Sequence, residues 1–372
     1  MIFAINLIYT TIYSYIFSKY NNSTTQKYKF LNYLLFLFPI WTIWLIICGG
    51  QYKVGTDYEA YYNIFKTCDV TLYYKKFEYV FAYIVEISNY LELNPQIPFY
   101  IFYFIGCIFF IKILTKLHHN TSFIFIILYL SLSTVFNNQL NGLRQYTALY
   151  ICTYALLTLQ EKNGVVKFFT YTICATMIHS SSLLILPFIL LKFSTQLSYR
   201  NGIILLIIAI ILGAFGGYNI IVSYLLFLIP AHYQHYIGGT FDTTYGFTSL
   251  ITKLIFIPFY FYSLLLLKSK KLNNSDMFLF KLGIIGYSIR IMFLSNFIFN
   301  RIGDTFLLIS MLPLYFLLRD LYLEKKYTQF ILICIFFISF YLSKVLLFPA
   351  QEYLYNSIYL KDVWNFHYYS NI

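Results

Sequence analysis

The chain has 372 residues, of which 60% are apolar and only 11% are charged. An ordinary soluble domain carries about 25% charged residues, and a soluble globule of this length could not cover so much apolar surface. The composition therefore excludes a soluble enzyme, a secreted disulfide module and a disordered protein. It predicts an all-α polytopic membrane protein.

The formal net charge is +12, but the cations stand singly at the ends of apolar runs. That distribution follows the positive-inside rule of membrane proteins, so we do not expect nucleic acid as a partner. With the N-terminus outside, sixteen of the 26 Lys and Arg residues fall on the cytoplasmic side. The exterior then receives the loop 50–96, the loop 230–248 and the tail 348–372.

Eleven apolar runs divide the chain in order. They lie at about 1–18, 31–49, 98–115, 121–137, 142–160, 165–192, 201–229, 249–267, 275–295, 300–319 and 327–347. At about 20 residues per crossing, they predict about 10–12 transmembrane helices in a single integral membrane domain, 1–372. Segment 79–93 is short and carries Glu86, so it is predicted as an interfacial or re-entrant helix. Run 165–192 is too long for one helix, and its polar centre at His179 predicts two short helices with their turn at the outer face.

Five polar residues go against the charge pattern, because the topology places all of them at the outer face. They are Asp57, Arg144, His179, Arg290 and Arg301. Charged groups at membrane depth usually line a water-filled cavity. The planar, permanently charged fork of arginine suits phosphate oxygens, so the three arginines predict a site for a lipid-linked diphosphate. A substrate carboxylate is the competing ligand, and snorkelling to the headgroups is the structural alternative.

The unperturbed pKa of a histidine side chain lies near working pH, so His179 suits the role of a general base. The alternative is a packing residue that is hydrogen-bonded to the neighbouring serines. Asp57 and Glu59 either belong to the site or serve a turn in a solvated loop. Tyr58 begins an aromatic face that could stack on sugar rings or form an interfacial belt. Asp304 lies three residues after Arg301, and we expect it to pair with an arginine.

Four segments in this order resemble the EpsG-like family of bacterial membrane proteins, which belongs with the Wzy-type polysaccharide polymerases. They are VGTDYEAYYNIF, NNQLNGLRQYTALYICTYALL, ICATMIHSSSLLILPFIL and FNRIGDTFLLISMLPLY. The resemblance spans roughly residues 50–320. It implies a fold similar to the multi-spanning, GT-C-like glycosyltransferases that use lipid-linked donors.

The resemblance also implies the reaction and its partners. The donor and the acceptor are oligosaccharide repeat units on undecaprenyl diphosphate, joined at the exterior face of the bacterial cytoplasmic membrane into O-antigen, capsular or exopolysaccharide chains. Membrane lipid surrounds the protein, and a chain-length regulator is a further partner of such polymerases. Asp57, Arg144, His179 and Arg301 match the family motifs, with Gln145 beside Arg144 in a supporting role. No D-x-D motif is present, so we expect metal independence and no cofactor.

Three other functions fit the same composition. A ligase would use similar arginines and a similar base, and differs only in its acceptor. A flippase or transporter of lipid-linked sugars would need charges along a path through the membrane, whereas here they lie at one face. A membrane O-acyltransferase would need a histidine deep between helices and a route to a cytoplasmic acyl donor.

Overall fold

The computed structural model describes residues 1–20, 29–194, 197–214, 254–269, 272–294, 297–349 and 351–359. Within these ranges the chain is helical apart from turns and one isolated bridge. Its contacts divide it into two compact units. The first contains 1–155, 166–183 and 331–372, and the second contains 156–165 and 184–330. The predicted exterior loop 230–248 lies outside the described residues.

The described α-helices are numbered here in chain order. The first eleven are α1 (Ile2–Tyr20), α2 (Lys29–Phe36), α3 (Phe38–Gly49), α4 (Tyr58–Thr67), α5 (Thr71–Lys75), α6 (Tyr79–Tyr90), α7 (Ile97–Thr115), α8 (Ser122–Ser131), α9 (Val135–Asn138), α10 (Leu143–Thr158) and α11 (Gly164–Thr176). They are followed by α12 (Tyr199–Ala214), α13 (Ile257–Ser269), α14 (Asn274–Met292), α15 (Phe297–Asp304), α16 (Leu307–Ser310), α17 (Leu312–Leu323) and α18 (Tyr327–Leu342). Shorter helical turns occur at His119–Thr121, Ser343–Leu347 and Gln351–Tyr353, and a longer 3-10 helix spans Ser180–Lys192.

Apolar helices long enough to cross a bilayer confirm the membrane-protein class. By length and composition, Ile97–Thr115 and Tyr327–Leu347 qualify, and α2 with α3 forms a third candidate if the bent pair is one span. The predicted count of 10–12 spans is not confirmed, because several apolar runs are divided into shorter helices. Among these shorter pieces are Tyr199–Ala214 and Ile257–Lys268.

The run 121–137 shows why such divisions occur. It holds α8, whose ten residues are all buried, and the separate short helix α9. Between them, Ser131 Oγ donates to the carbonyl of Ile127 at 2.7 Å and Ser133 Oγ to that of Tyr129 at 2.6 Å. Serine hydroxyls that bond the backbone compete with helix continuation. Thr134 then has a φ of 60°, which no right-handed helix contains, so the run is not one continuous helix.

Two other apolar runs are also interrupted. The run 31–49 is bent by 62° between α2 and α3, where Pro39 occupies the first turn of α3 and removes a backbone donor. The predicted division of 165–192 is confirmed, because α11 ends at Thr176 and the 3-10 helix starts at Ser180. Segment 79–93 forms the twelve-residue α6.

Within each unit, polar contacts join segments that the charge topology assigns to the same side. In the first unit, Lys29 Nζ donates to the carbonyl of Thr115 at 2.6 Å, at the carboxyl end of α7. In the second, Lys281 Nζ donates to the carbonyl of Leu191 at 2.9 Å, at the end of the 3-10 helix. Lysine near the carboxyl end of a helix satisfies carbonyls that have no partner in that helix. These pairings agree with the predicted alternation of sides.

The loop after α3 and the described part of the C-terminal segment are also joined. Gln51 and Ser357 form an antiparallel bridge, with Tyr52 N donating to the carbonyl of Asn356 at 3.0 Å. Ile358 N donates to the carbonyl of Gly50 at 2.9 Å. These bonds hold the two segments side by side, and their exterior location stays a prediction.

Close helix packing in the second unit depends on Gly283 of α14. A Cβ atom at this position would lie 2.3 Å from Cδ of Pro313 in α17 and 3.0 Å from the carbonyl oxygen of Ile309. The proline ring and the backbone cannot rotate away. One helical turn on, a Cβ at Gly286 would lie 2.9 Å from both Cδ1 and Cγ1 of the Ile309 side chain and 3.5 Å from Cβ of Phe306.

We therefore predict that Gly283→Ala lowers the thermal midpoint of the purified protein, because overpacking costs about 1–3 kcal/mol. The matched control is Gly286→Ala, where the Ile309 side chain can shift by rotation and the gain in helix propensity offsets the contact. Differential scanning fluorimetry in detergent measures both midpoints. Equal midpoints for the two variants would show that Pro313 can shift as easily as the Ile309 side chain.

Candidate active site

The turn before α4 is fixed by one side chain from another segment. Gly55 has a φ of +72°, and a Cβ there would lie 2.7 Å from Oδ1 of Asn141. The same oxygen accepts hydrogen bonds from Asp57 N at 2.8 Å and from Thr56 Oγ1 at 3.2 Å. Because Asn141 lies immediately before α10, this contact places Asp57 next to the start of the helix that carries Arg144.

The aromatic face of α4 packs inside the first unit. Tyr58, Tyr61 and Phe65 are buried, and all three rings contact Phe99 of α7, with centroid distances of 5.2, 6.5 and 5.1 Å. Tyr58 Oη also donates to Oε1 of Gln96 at 2.9 Å, and burial raises the pKa of Tyr58 above its usual value. The expectation of an open face for sugar rings or an interfacial belt is therefore wrong for these rings.

Glu59, on the other side of α4, is exposed. Its carboxylate lies 3.5 Å from Nζ of Lys53, which is exposed as well. A surface ion pair of this kind contributes about 0–1 kcal/mol to stability. The contact fits the solvated-loop interpretation of Glu59, and a supporting role in the site stays a prediction.

Arg144 lies in the first turn of α10, within a pocket of three aromatic rings. Its guanidinium carbon is 4.5 Å from the ring centroid of Tyr73, 5.0 Å from that of Phe81 and 5.7 Å from that of Tyr61. Cations over aromatic faces at such distances are attracted by the ring quadrupole. Nη1 donates to the Oε2 atom of Glu78 and forms an ion pair with it, and Nε donates to Tyr61 Oη at 3.4 Å. The guanidinium is therefore held in one orientation.

The turn at residues 177–181 meets this ion pair. The carbonyl of Met177 accepts from Val80 N at 2.9 Å and from Phe81 N at 3.3 Å, in the first turn of α6. Ser180 N donates to Oε1 of Glu78 at 3.0 Å. Glu78 is thus the residue through which Arg144 and the turn carrying His179 are brought together.

Nδ1 of His179 is engaged by the neighbouring Ser181. It lies 2.7 Å from Ser181 Oγ and accepts from Ser181 N at 3.3 Å. A backbone N–H can only donate, so Nδ1 is an acceptor here and the neutral ring carries its proton on Nε2. The bond to Ser181 fits the packing interpretation of His179, and a role in the chemistry stays a prediction.

A second cation lies close to the Arg144–Glu78 pair. Lys76 is half-buried, and burial lowers its pKa from the usual value; the charge of Glu78 opposes this, and the charge of Arg144 adds to it. Lys76 therefore adds a second positive charge near the Arg144–Glu78 pair, which is a feature that suits an anionic ligand.

Arg290 and Arg301 belong to the second unit. Arg290 is half-buried near the end of α14, and its Nη1 donates to Ser310 Oγ at 3.0 Å. Arg301 is exposed on α15, and Asp304 on the same helix is half-buried. A cavity shared by these arginines and Arg144 stays a prediction, as does the pairing of Asp304 with an arginine.

A protein-family model matches residues 33–357, and its description is the EpsG family. The chain belongs to the EpsG family. This family is associated with glycosyltransferase-like polysaccharide polymerases. No curated protein and no solved structure matches the chain, so the predicted similarity to GT-C-like enzymes stays a prediction.

Sequence reasoning about this EpsG-family chain missed Glu78 and Asn141 as site residues. In the sequence, Glu78 is a single charge that directly precedes segment 79–93, and the charge pattern assigns it no role. An acid beside an apolar helix is costly unless it is paired, and this signal could have identified Glu78. Asn141 gave no comparable signal, because its three contacts depend on the tertiary position of the 55–57 turn. Gln145, predicted to support the site, is half-buried in the first turn of α10.

Proposed function

We propose that this protein joins oligosaccharide repeat units, carried on undecaprenyl diphosphate, into a polysaccharide of the O-antigen, capsular or exopolysaccharide type. The reaction takes place at the exterior face of the bacterial cytoplasmic membrane, as for Wzy-type polymerases. Membership in the EpsG family supports the polymerase class. The charge topology supports the exterior face.

The observation that carries this proposal is the geometry of Arg144. A guanidinium has five N–H donors in a planar fork. Within the described residues, Glu78 and Tyr61 engage one donor each, which leaves three for a ligand. Because the aromatic walls fix the plane of the fork, these donors are aimed before the substrate binds. A diphosphate presents several oxygens that can accept such charge-assisted bonds.

The proposed reaction is the displacement of undecaprenyl diphosphate from the donor glycan. An acceptor hydroxyl forms a bond to the donor's anomeric carbon, and the bond from that carbon to the diphosphate oxygen breaks with its electron pair. Negative charge develops on the diphosphate, and Arg144 stabilises it in the transition state, with Lys76 adding positive charge nearby. Arg290 and Arg301 are the further proposed diphosphate ligands.

The hydroxyl proton needs an acceptor. In the observed contact His179 carries its proton on Nε2, so Asp57 is the better placed of the two candidates to accept a proton. His179 then donates a hydrogen bond to the substrate. Both residues lie in the first unit, and both are tied to elements that also hold Arg144.

We predict that Arg144→Lys loses most polymer although it keeps the charge, because an ammonium cannot reproduce the planar fork. A charge-assisted hydrogen bond contributes about 1.5–3 kcal/mol, which corresponds to roughly a tenfold to more than a hundredfold change in rate. The measurement is gel analysis of surface glycan in a deletion strain complemented with each variant at equal protein level. The deletion itself should leave single repeat units.

Two results would contradict the proposal. Polymer of full length from Arg144→Lys would remove the diphosphate role of Arg144. Polymer that is retained on the lipid carrier in the deletion strain, without transfer to the cell surface, would identify a ligase instead.

We further predict that His179→Gln keeps much of the polymer and that His179→Ala does not, since glutamine can still donate from a similar position. Asp57→Asn should be inactive, because an amide cannot accept the proton as a carboxylate does. The same complementation assay compares the three variants. If His179→Gln is as poor as His179→Ala while Asp57→Asn retains activity, His179 is the base and Asp57 has a structural role.

A further inference from the structure

Glu78 occupies the N-cap position of α6 but does not cap that helix with its side chain. An N-cap side chain normally accepts from the backbone N–H groups of the first turn. Here the carbonyl of Met177, from the 177–181 turn, accepts from Val80 N and Phe81 N instead. The carboxylate of Glu78 is therefore left for contacts with other segments.

Both carboxylate oxygens are used in this way. Oε2 accepts from Arg144 and Oε1 accepts from Ser180 N. The Glu78 side chain is 1% exposed and that of Arg144 is 15% exposed, so the carboxylate is shielded from water and only a small part of the arginine side chain is exposed. Such a shielded acid is stable only while it is paired.

The residue that precedes Glu78 also has an unusual backbone conformation. Phe77 has a φ of 60°, a conformation that bulky side chains rarely adopt. This reversal lets Glu78 N donate to the carbonyl of Tyr73 at 2.9 Å and directs the next residues into α6. Strain of this kind persists where the surrounding contacts determine the local geometry, and it is concentrated at functional sites.

A buried ion pair is by itself weak support for stability, because apolar residues of similar volume often stabilise a core as well. What apolar residues cannot do is orient a guanidinium. We propose that Glu78 is a positioning residue that aims the remaining N–H donors of Arg144 at the diphosphate and holds the His179 turn at a fixed distance from them. This inference rests on the proposed function, since it assigns the diphosphate as the ligand of Arg144.

The test is Glu78→Gln in the purified full-length protein. The amide oxygen of glutamine can still accept from Ser180 N, but the amide nitrogen is a donor and cannot accept from Arg144. The substrate is the lipid-linked repeat unit that accumulates in the deletion strain. We expect kcat to fall by about ten- to a hundredfold with a smaller change in KM, because the lost orientation matters most when charge develops. Unchanged kcat and KM would overturn the inference.

Combining variants shows whether Glu78 acts through Arg144. In an Arg144→Lys background, Glu78→Gln should lower kcat little further, because the fork that Glu78 orients is already absent. If the two effects multiply, Glu78 acts independently of Arg144 and the inference is wrong.

The matched control is Glu86→Gln on the same helix. Glu86 Oε2 accepts from Tyr74 Oη at 2.6 Å, so it is also a hydrogen-bonded carboxylate, but it has no contact with Arg144 among the described residues. It should retain the wild-type kcat. A loss in Glu86→Gln equal to that in Glu78→Gln would show that any change in α6 has this effect and would overturn the inference.

A second variant, Glu78→Asp, tests the inference if Glu78→Gln does not fold. Glu78→Asp keeps the charge but is one methylene shorter, so it should accumulate as folded protein with a lowered kcat. Wild-type kcat in Glu78→Asp would show that the position of the fork is unimportant.

The two proposals fail in distinguishable ways. Full polymer length from Arg144→Lys defeats the proposed diphosphate site. Loss of polymer in Arg144→Lys together with wild-type kinetics in Glu78→Gln defeats only the role of Glu78.

Discussion

A carboxylate that is almost fully shielded from water has to find partners within the protein. Glu78 finds two, the guanidinium of Arg144 and the backbone N–H of Ser180. Because these partners come from α10 and from the turn after α11, pairing one acid fixes three segments of the first unit relative to one another. The carbonyl of Met177 completes the arrangement by capping α6. The proposed chemistry depends on this constraint, since it sets both the orientation of Arg144 and the position of His179.

Polar side chains also connect helices elsewhere in the described residues. Only 11% of the residues are charged, and two of the lysines, Lys29 and Lys281, donate to backbone carbonyls at the carboxyl ends of helices. Arg319 Nη1 pairs with Asp276 at 2.9 Å, joining α17 to α14. Each of these contacts connects positions that the positive-inside rule assigns to the same face. The assignment of that face to the cytoplasm stays a prediction.

The class and the turn near His179 could be predicted from the sequence, because each depends on composition or on a polar residue in an apolar run. The break in the run 121–137 could not, because hydropathy does not register serine hydroxyls that bond the backbone or the left-handed conformation of Thr134. The aromatic face of α4 was misjudged for a different reason. Aromatic residues at helical spacing give the same sequence pattern whether they face water or the protein core. Only their contacts with Phe99 show that these rings lie in the core. Glu78 was overlooked because its partners are distant in sequence.

The most direct test of the account is a structure of the protein with undecaprenyl diphosphate bound. The account predicts phosphate oxygens about 2.7–2.9 Å from the guanidinium nitrogens of Arg144, while Glu78 still accepts from Nη1 on the opposite side. It also predicts that the 177–181 turn stays bonded to the first turn of α6. A diphosphate bound away from Arg144, or an Arg144 that leaves Glu78 in order to reach the phosphate, would contradict the central claim.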